Sequence, residues 1–227
     1  MGEGAGAVPG LGDALIVVNL FEGVTAPGGA TGAVDQALGG AIGEAIASGD
    51  VRGKKGEVAV FYSRGAIPAP RVLVVGLGPQ DGFGLQTIRE VAAAAAKKAR
   101  DLGVASFSSI VHGAGVGGME PQAAAQATVE GTILGLYRYQ ELKNKEVDRA
   151  DPGTFTLVQR DAAQVAAVEA GAQVGQVVAE AACLARDLVN RPANYATPTD
   201  LAEVAIEIAS ELTTCAARCS PKKTPPS

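Results

Sequence analysis

Ala185–Ala205, ARDLVNRPANYATPTDLAEVA, reads as the end of one helix, a proline-broken turn and the capped start of another. Arg186, Asp187, Leu188 and Val189 complete an apolar helical pattern, and Asn190 is a residue type that tolerates left-handed geometry at a helix end. Pro192 cannot extend that helix, because it lacks an N–H and its ring clashes with the preceding turn. Asn194 follows in the turn, and Thr197-Pro198 restarts a helix with a hydroxyl cap and proline at the first helical position. Leu201, Val204, Ala205, Ile208 and Leu212 then share one face. Physics alone makes this a helix–turn–helix connection.

Working outward, the chain before this stretch alternates apolar strand-length runs with helical patterns. Ala14–Phe21, ALIVVNLF, suits a strand buried on both faces. Glu22–Gly32 is a loop, and Thr31 to Ala47 reads as one helix with Val34, Leu38, Ile42 and Ile46 inward. Strands follow at Glu57–Tyr62 and Arg71–Leu77, with a Gly/Pro-rich turn between them. Gln86–Leu102 is a helix striped by Ile88, Val91, Ala95 and Ala99, with Lys97, Lys98 and Arg100 near its C-terminus and Gly103 stopping it. A strand at Ser106–His112, a helix at Pro121–Tyr139, a charged loop at Lys143–Gly153 and a strand at Thr154–Gln159 come next. Asp161 then caps a long helix running to about Val189. Such alternation predicts an α/β fold, with a largely parallel sheet covered on both faces.

The wording of the junction is more specific than its physics. Ala185–Asn190, Pro192, Asn194, Thr197-Pro198 and Leu201-Ala202, together with Asn19–Gly23 and Gly28–Asp35, resemble the leucyl aminopeptidase (cytosol aminopeptidase) family over roughly residues 13–212. The resemblance implies a three-layer, macro-domain-like fold with a mostly parallel mixed sheet over 13–160. It further implies an inter-domain helix and the start of the peptidase domain over 161–212. Residues 1–12 read as a flexible leader and Thr213–Ser227 as a disordered, aberrant tail, such as a truncation, a shifted frame or a natural short form would produce. In the family a C-terminal domain holds two divalent metal ions, zinc or manganese, and removes N-terminal residues from peptides as a homo-oligomer, a hexamer. The resemblance places those ligands beyond the end of this chain, so it implies no catalytic or metal residue here, and no activity for the chain alone. Arg186, Asp187, Asn190, Pro192, Asn194, Thr197 and Pro198 are junction residues with a structural role.

Two glycine runs are candidate ligand loops. Gly28-Gly29-Ala30-Thr31-Gly32 lies between a buried strand and a helix start, where converging N–H groups and the helix dipole favour an anion. Asn19 and Asp35 flank it as the polar side chains able to orient a ligand. Gly113-Ala114-Gly115-Val116-Gly117-Gly118 satisfies a G-x-G-x-x-G pattern after a strand, but lacks the following helix start and the later acidic residue of a dinucleotide site. In a macro-like fold both loops would face ADP-ribose or a nucleotide phosphate. Read structurally, the same glycines supply tight turns and close packing. His112, the single histidine, reads as hydrogen-bonded packing, and its closeness in sequence to Ser108 and Ser109 argues against a triad.

Composition bounds the partners. The formal net charge is −5, with Thr213–Ser227 contributing +3, so the first 212 residues carry −8. An acidic body repels phosphate backbones, which disfavours nucleic-acid binding. Met1–Gly12 lacks the basic start and apolar core of a secretory signal, and no apolar run approaches the ~20 residues that span a bilayer. Cys183, Cys215 and Cys219 are an odd set without the spacing of a structural zinc site. These features predict a cytoplasmic chain with reduced thiols, no membrane partner and peptide substrates only as part of a longer protein.

Overall fold

The computed structural model describes residues 13–114, 118–142 and 149–211. The chain divides into two compact units, with the boundary between Ala181 and Ala182. In the first, a five-stranded sheet has the order β2-β3-β1-β4-β5, formed by β1 (Ile16–Phe21), β2 (Val58–Tyr62), β3 (Arg71–Gly78), β4 (Ser106–Ile110) and β5 (Thr154–Val158). β1 lies at the centre, parallel to β3 from Ile16 opposite Val72 and parallel to β4 from Ile16 opposite Ser108. β5 is parallel to β4, whereas β2 runs antiparallel to β3, so the sheet is mixed and mostly parallel.

Alternation along β1 and β3 feeds two cores. Leu15, Val17, Leu73, Val75 and Leu77 pack with Val91, Ala95, Ala96 and Ala99 of α3 (Leu85–Asp101). Ile16, Val18, Leu20, Val72 and Val74 face the other way, onto Val34 of α1 (Gly29–Ala37) and Ile42 of α2 (Ala41–Ser48). A third cluster joins Ile88 to Ala124, Ala125 and Ala127 of α4 (Pro121–Leu136) and Val168 of α5 (Val165–Asn190). The result is an α/β/α arrangement, helices on both faces of the sheet. Strands this apolar on both sides are stable only when both faces are covered.

Three sequence expectations need correction. The helix expected over 31–47 is two helices, broken at Gly39 (φ 69°) and Gly40 (φ 90°), a left-handed turn that glycine adopts without a Cβ clash. Asp35 makes the second start possible: its Oδ1 accepts the N–H groups of Ile42 and Gly43 at 2.8 and 3.0 Å. The helix expected to reach Tyr139 ends at Leu136, where Tyr137 turns extended (φ −54°, ψ 130°). Asp161 caps a single 3-10 turn over Ala162–Gln164 through Ala163 N–H at 3.0 Å, and the long helix begins at Val165.

Small residues set the helix spacing in this unit. A Cβ on Gly171 would lie 2.1 Å from the carbonyl oxygen of Gln122, and one on Gly175 2.6 Å from that of Gln126. These glycines, which weaken α5 as an isolated helix by about 1 kcal/mol each, let its backbone approach α4.

The second unit, described by itself, contains the end of α5 and α6 (Pro198–Glu211). Thr197 and Asp200 form a reciprocal cap. Asp200 Oδ2 accepts from Thr197 N–H at 2.8 Å and from its hydroxyl at 2.5 Å, and Thr197 Oγ1 accepts Asp200 N–H at 3.4 Å. Those bonds, the side-chain one foremost, hold the Asp200 carboxyl below its ordinary value. Arg186, Asp187 and Asn190 occupy the last turns of α5, Pro192 and Asn194 the exposed turn, and Pro198 the first position of α6. Residues 1–12, Gly115 to Gly117, most of the 143–153 loop, and the tail with Cys215 and Cys219 lie outside the described residues.

Candidate functional site

In open α/β sheets the crevice for ligands lies beyond the carboxyl ends of strands, where connections diverge to either side. Here the divergence is at β1, whose neighbours are β3 and β4. Beyond its end lie Gly28 and α1; beyond the end of β4 lie His112 and Gly113. The Gly28–Gly32 loop and Gly113 therefore follow the ends of adjacent strands.

The side chains there are engaged with one another. Asn19 Nδ2 stands 3.2 Å from His112 Nδ1, and His112 Nε2 stands 3.3 Å from Ser109 Oγ. Ser109 Oγ–H donates to the carbonyl of Ile110 at 3.0 Å, so its oxygen is left to accept from Nε2–H. This arrangement corresponds to the neutral Nε2–H tautomer, with Nδ1 accepting from the Asn19 amide. Ser109 is thus a poor nucleophile: its proton points at a carbonyl, and the ring beside it donates to it. The Thr31 hydroxyl donates to the Asn19 carbonyl at 2.6 Å, tying the first turn of α1 to β1.

The loop glycines follow the same logic. Gly28 is the N-cap of α1, its carbonyl accepting Gly32 N–H at 2.9 Å. Gly29 holds φ 55°, and a Cβ on Gly32 would meet the carbonyl oxygen of Pro27 at 2.6 Å. Gly113 (φ 82°) lies against Phe83 and Met119, whose atoms would stand 2.8 and 3.0 Å from a Cβ there. Gly28 and Gly113 follow the ends of the adjacent strands β1 and β4, but Asp35 is committed to α2 and Asn19 to His112, and Gly115 lies outside the described residues. The contact that sequence reasoning missed is Asn19–His112. Two polar residues at the ends of adjacent apolar strands were its signal, legible only once β1 and β4 are known to be neighbours.

His112 is 1% exposed, and burial alone pulls its pKa from 6.5 to about 4. The unfolded chain takes up a proton near pH 6.5, while the native ring resists until about pH 4. Between those values the unfolded state binds more protons, so stability falls as pH falls. The contribution is complete above pH 6.5 and amounts to about 3 kcal/mol lost by pH 4. Urea midpoints measured across this range are expected to drop steeply for the wild type and to flatten in His112→Gln.

Among the described residues, no three His, Cys, Asp or Glu side chains come together as a metal-binding group. No described helix is long and apolar enough to cross a membrane.

Comparison with known proteins places this architecture. Residues 17–146 match the model of the cytosol aminopeptidase family, N-terminal domain. A probable cytosol aminopeptidase of Roseiflexus castenholzii is 39% identical over 86% of this chain and 37% of its own length. The cytosol aminopeptidase of Pseudomonas aeruginosa is 34% identical over 81% of the chain and likewise 37% of its own. The chain thus spans well under half the length of the curated relatives it matches. Among solved structures, tomato leucine aminopeptidase superposes with a TM-score of 0.73 at 23% identity, over 92% of this chain and 41% of that one. A macrodomain from Oceanobacillus iheyensis superposes at 0.56 and 16% identity, over 78% of this chain and 90% of that one. The macro-like fold is thereby shared with both, and on the family match the chain belongs to the cytosol aminopeptidase family, to whose N-terminal domain it corresponds.

Proposed function

We propose that the chain acts as the non-catalytic, assembly-forming N-terminal domain of a cytoplasmic leucyl-aminopeptidase-type peptidase, built as a hexamer with two divalent metals per active site. The observation that carries this reading is the match of residues 17–146 to the N-terminal domain specifically. A related structure, bottromycin maturation enzyme BotP, is a complex with Mn at 26% identity and a TM-score of 0.65, over 88% of this chain and 36% of that one. Paired metals supply Lewis-acid polarisation and an activated water for peptide hydrolysis. The described residues do not fit such a pair, since no three donor side chains converge, and no step of that reaction is assigned to them.

Binding of ADP-ribose or a nucleotide phosphate at the glycine loops is the weaker reading. The macrodomain likeness supports it at the level of fold. Against it, Asn19, Thr31, Asp35 and His112 already satisfy protein partners.

The deciding experiment is hydrolysis of a leucine anilide by the purified chain, with manganese or zinc added and a chelator control. No turnover above the buffer blank is expected. Chelator-sensitive turnover that follows the chain through purification would overturn the reading.

A further inference from the structure

The hydrogen bonds at these strand ends run in one direction. Asn19 donates to His112, His112 to Ser109, and Ser109 to the Ile110 carbonyl, while Thr31 donates to the backbone of Asn19. The two links to the ring depend on its having one accepting and one donating nitrogen. The chain joins the end of β1, the end of β4 and the first turn of α1. Its backbone neighbours are the two glycine loops, and the Gly113 turn is closed by Met119 N–H on the Gly113 carbonyl at 3.1 Å.

We propose that Asn19, His112 and Ser109 form a latch that holds only while the imidazole is neutral, and that acid releases the Gly28–Gly32 loop and the Ser109–Ala114 segment locally while the core stays folded. A protonated ring presents N–H at Nδ1 to the N–H of Asn19, donor against donor. The amide must turn or withdraw, and it carries with it the strand end to which Thr31 anchors α1. The polar side chains facing the ring are Asn19 from β1 and Ser109 from β4. Neither hydrogen-bond partner of the ring among the described residues, Asn19 or Ser109, is a carboxylate. Release is local because the α3 core, from Ile88 to Ala99, is built from apolar side chains that do not titrate.

One histidine in the chain makes the test direct, since its imidazole gives a single set of NMR signals. At neutral pH the ring nitrogens are expected to report the Nε2–H tautomer; the Nδ1–H tautomer would overturn the proposal. Hydrogen exchange, corrected for intrinsic rates, is then compared at about pH 7 and about pH 4. Peptides covering 19–35 and 109–114 are expected to lose protection roughly tenfold or more and to exchange ahead of α3, whose protection follows the global stability. Unchanged loop protection, or loops that exchange only together with α3, would overturn it. His112→Gln is expected to remove the pH dependence of the loops. Asn19→Asp offers a carboxylate to the cation and is expected to invert that dependence, acid then tightening the loops. This second variant keeps the test decisive should the first not fold, and loops that loosen with acid in it as in the wild type would sink the latch.

Discussion

Gly131→Val is expected to cost about 3 kcal/mol of stability and to leave much of the protein insoluble. A Cβ at this position would stand 2.3 Å from the carbonyl oxygen of Arg89 and 2.7 Å from its Cα. The obstructing atoms are helix backbone, so no rotamer change relieves the overlap, and α3 and α4 must separate. One turn on, Gly135 repeats the arrangement, its Cβ position lying 2.7 Å from Ala93. The α3 residues at these contacts are Arg89 and Ala93. Two helices this close lose contacts along their length when pushed apart. Gly131→Ala should fall between wild type and valine, because better helix propensity returns up to about 1 kcal/mol. Urea unfolding of the three proteins measures the order. Equal midpoints would mean that the helices are not held at this distance.

The second large effect sits one residue away. Glu130 is buried, and its Oε2 accepts from Arg89 Nε at 2.5 Å while its Oε1 accepts from Gln126 Nε2 at 2.7 Å. Arg89 keeps 32% of its side chain in solvent. Glu130→Leu is expected to destabilise by about 2 kcal/mol, less than for a fully enclosed pair, because the stranded guanidinium can still reach water. Arg89→Met combined with Glu130→Leu should recover most of that loss, since apolar side chains of similar size remove the desolvation of both charges. A double-mutant cycle in urea reads the coupling. Additive losses would show the pair to be no more than a surface contact. Gly131 variants belong outside this cycle, because a shifted α4 would move Glu130 as well.

The sequence made the strands and their order along the chain legible, because runs such as Ala14–Phe21 and Arg71–Leu77 are apolar over strand length and bounded by turn residues. Helix ends were less legible. Residues 31–47 hold a continuous apolar period across Gly39-Gly40, and only the carboxylate of Asp35, satisfying two N–H groups of the next helix, reveals a second start there. The part played by the glycines of α4 and α5 was not legible, since their cost is local and their benefit is contact with a backbone far away in sequence. Both glycine loops were legible, because glycine after a strand is a local signal. Which polar side chains face each other across β1 and β4 was not, because it depends on strands far apart in sequence being neighbours. The contacts of Asp35 to α2 and of Asn19 to His112 are likewise set only by the folded chain.

The central place of β1 has a consequence during synthesis. Ile16 pairs with Val72 on one side and Ser108 on the other, so the strand made first must wait for partners made much later. At a translation rate of roughly 5 to 20 residues per second, that wait lasts about 5 to 20 seconds for the β4 side. Throughout it, an uncharged segment of Ile, Val and Leu emerges from the ribosome without its sheet. Slower translation lengthens this exposure, and a chaperone able to hold a short apolar strand would shorten the time it spends open to other nascent chains.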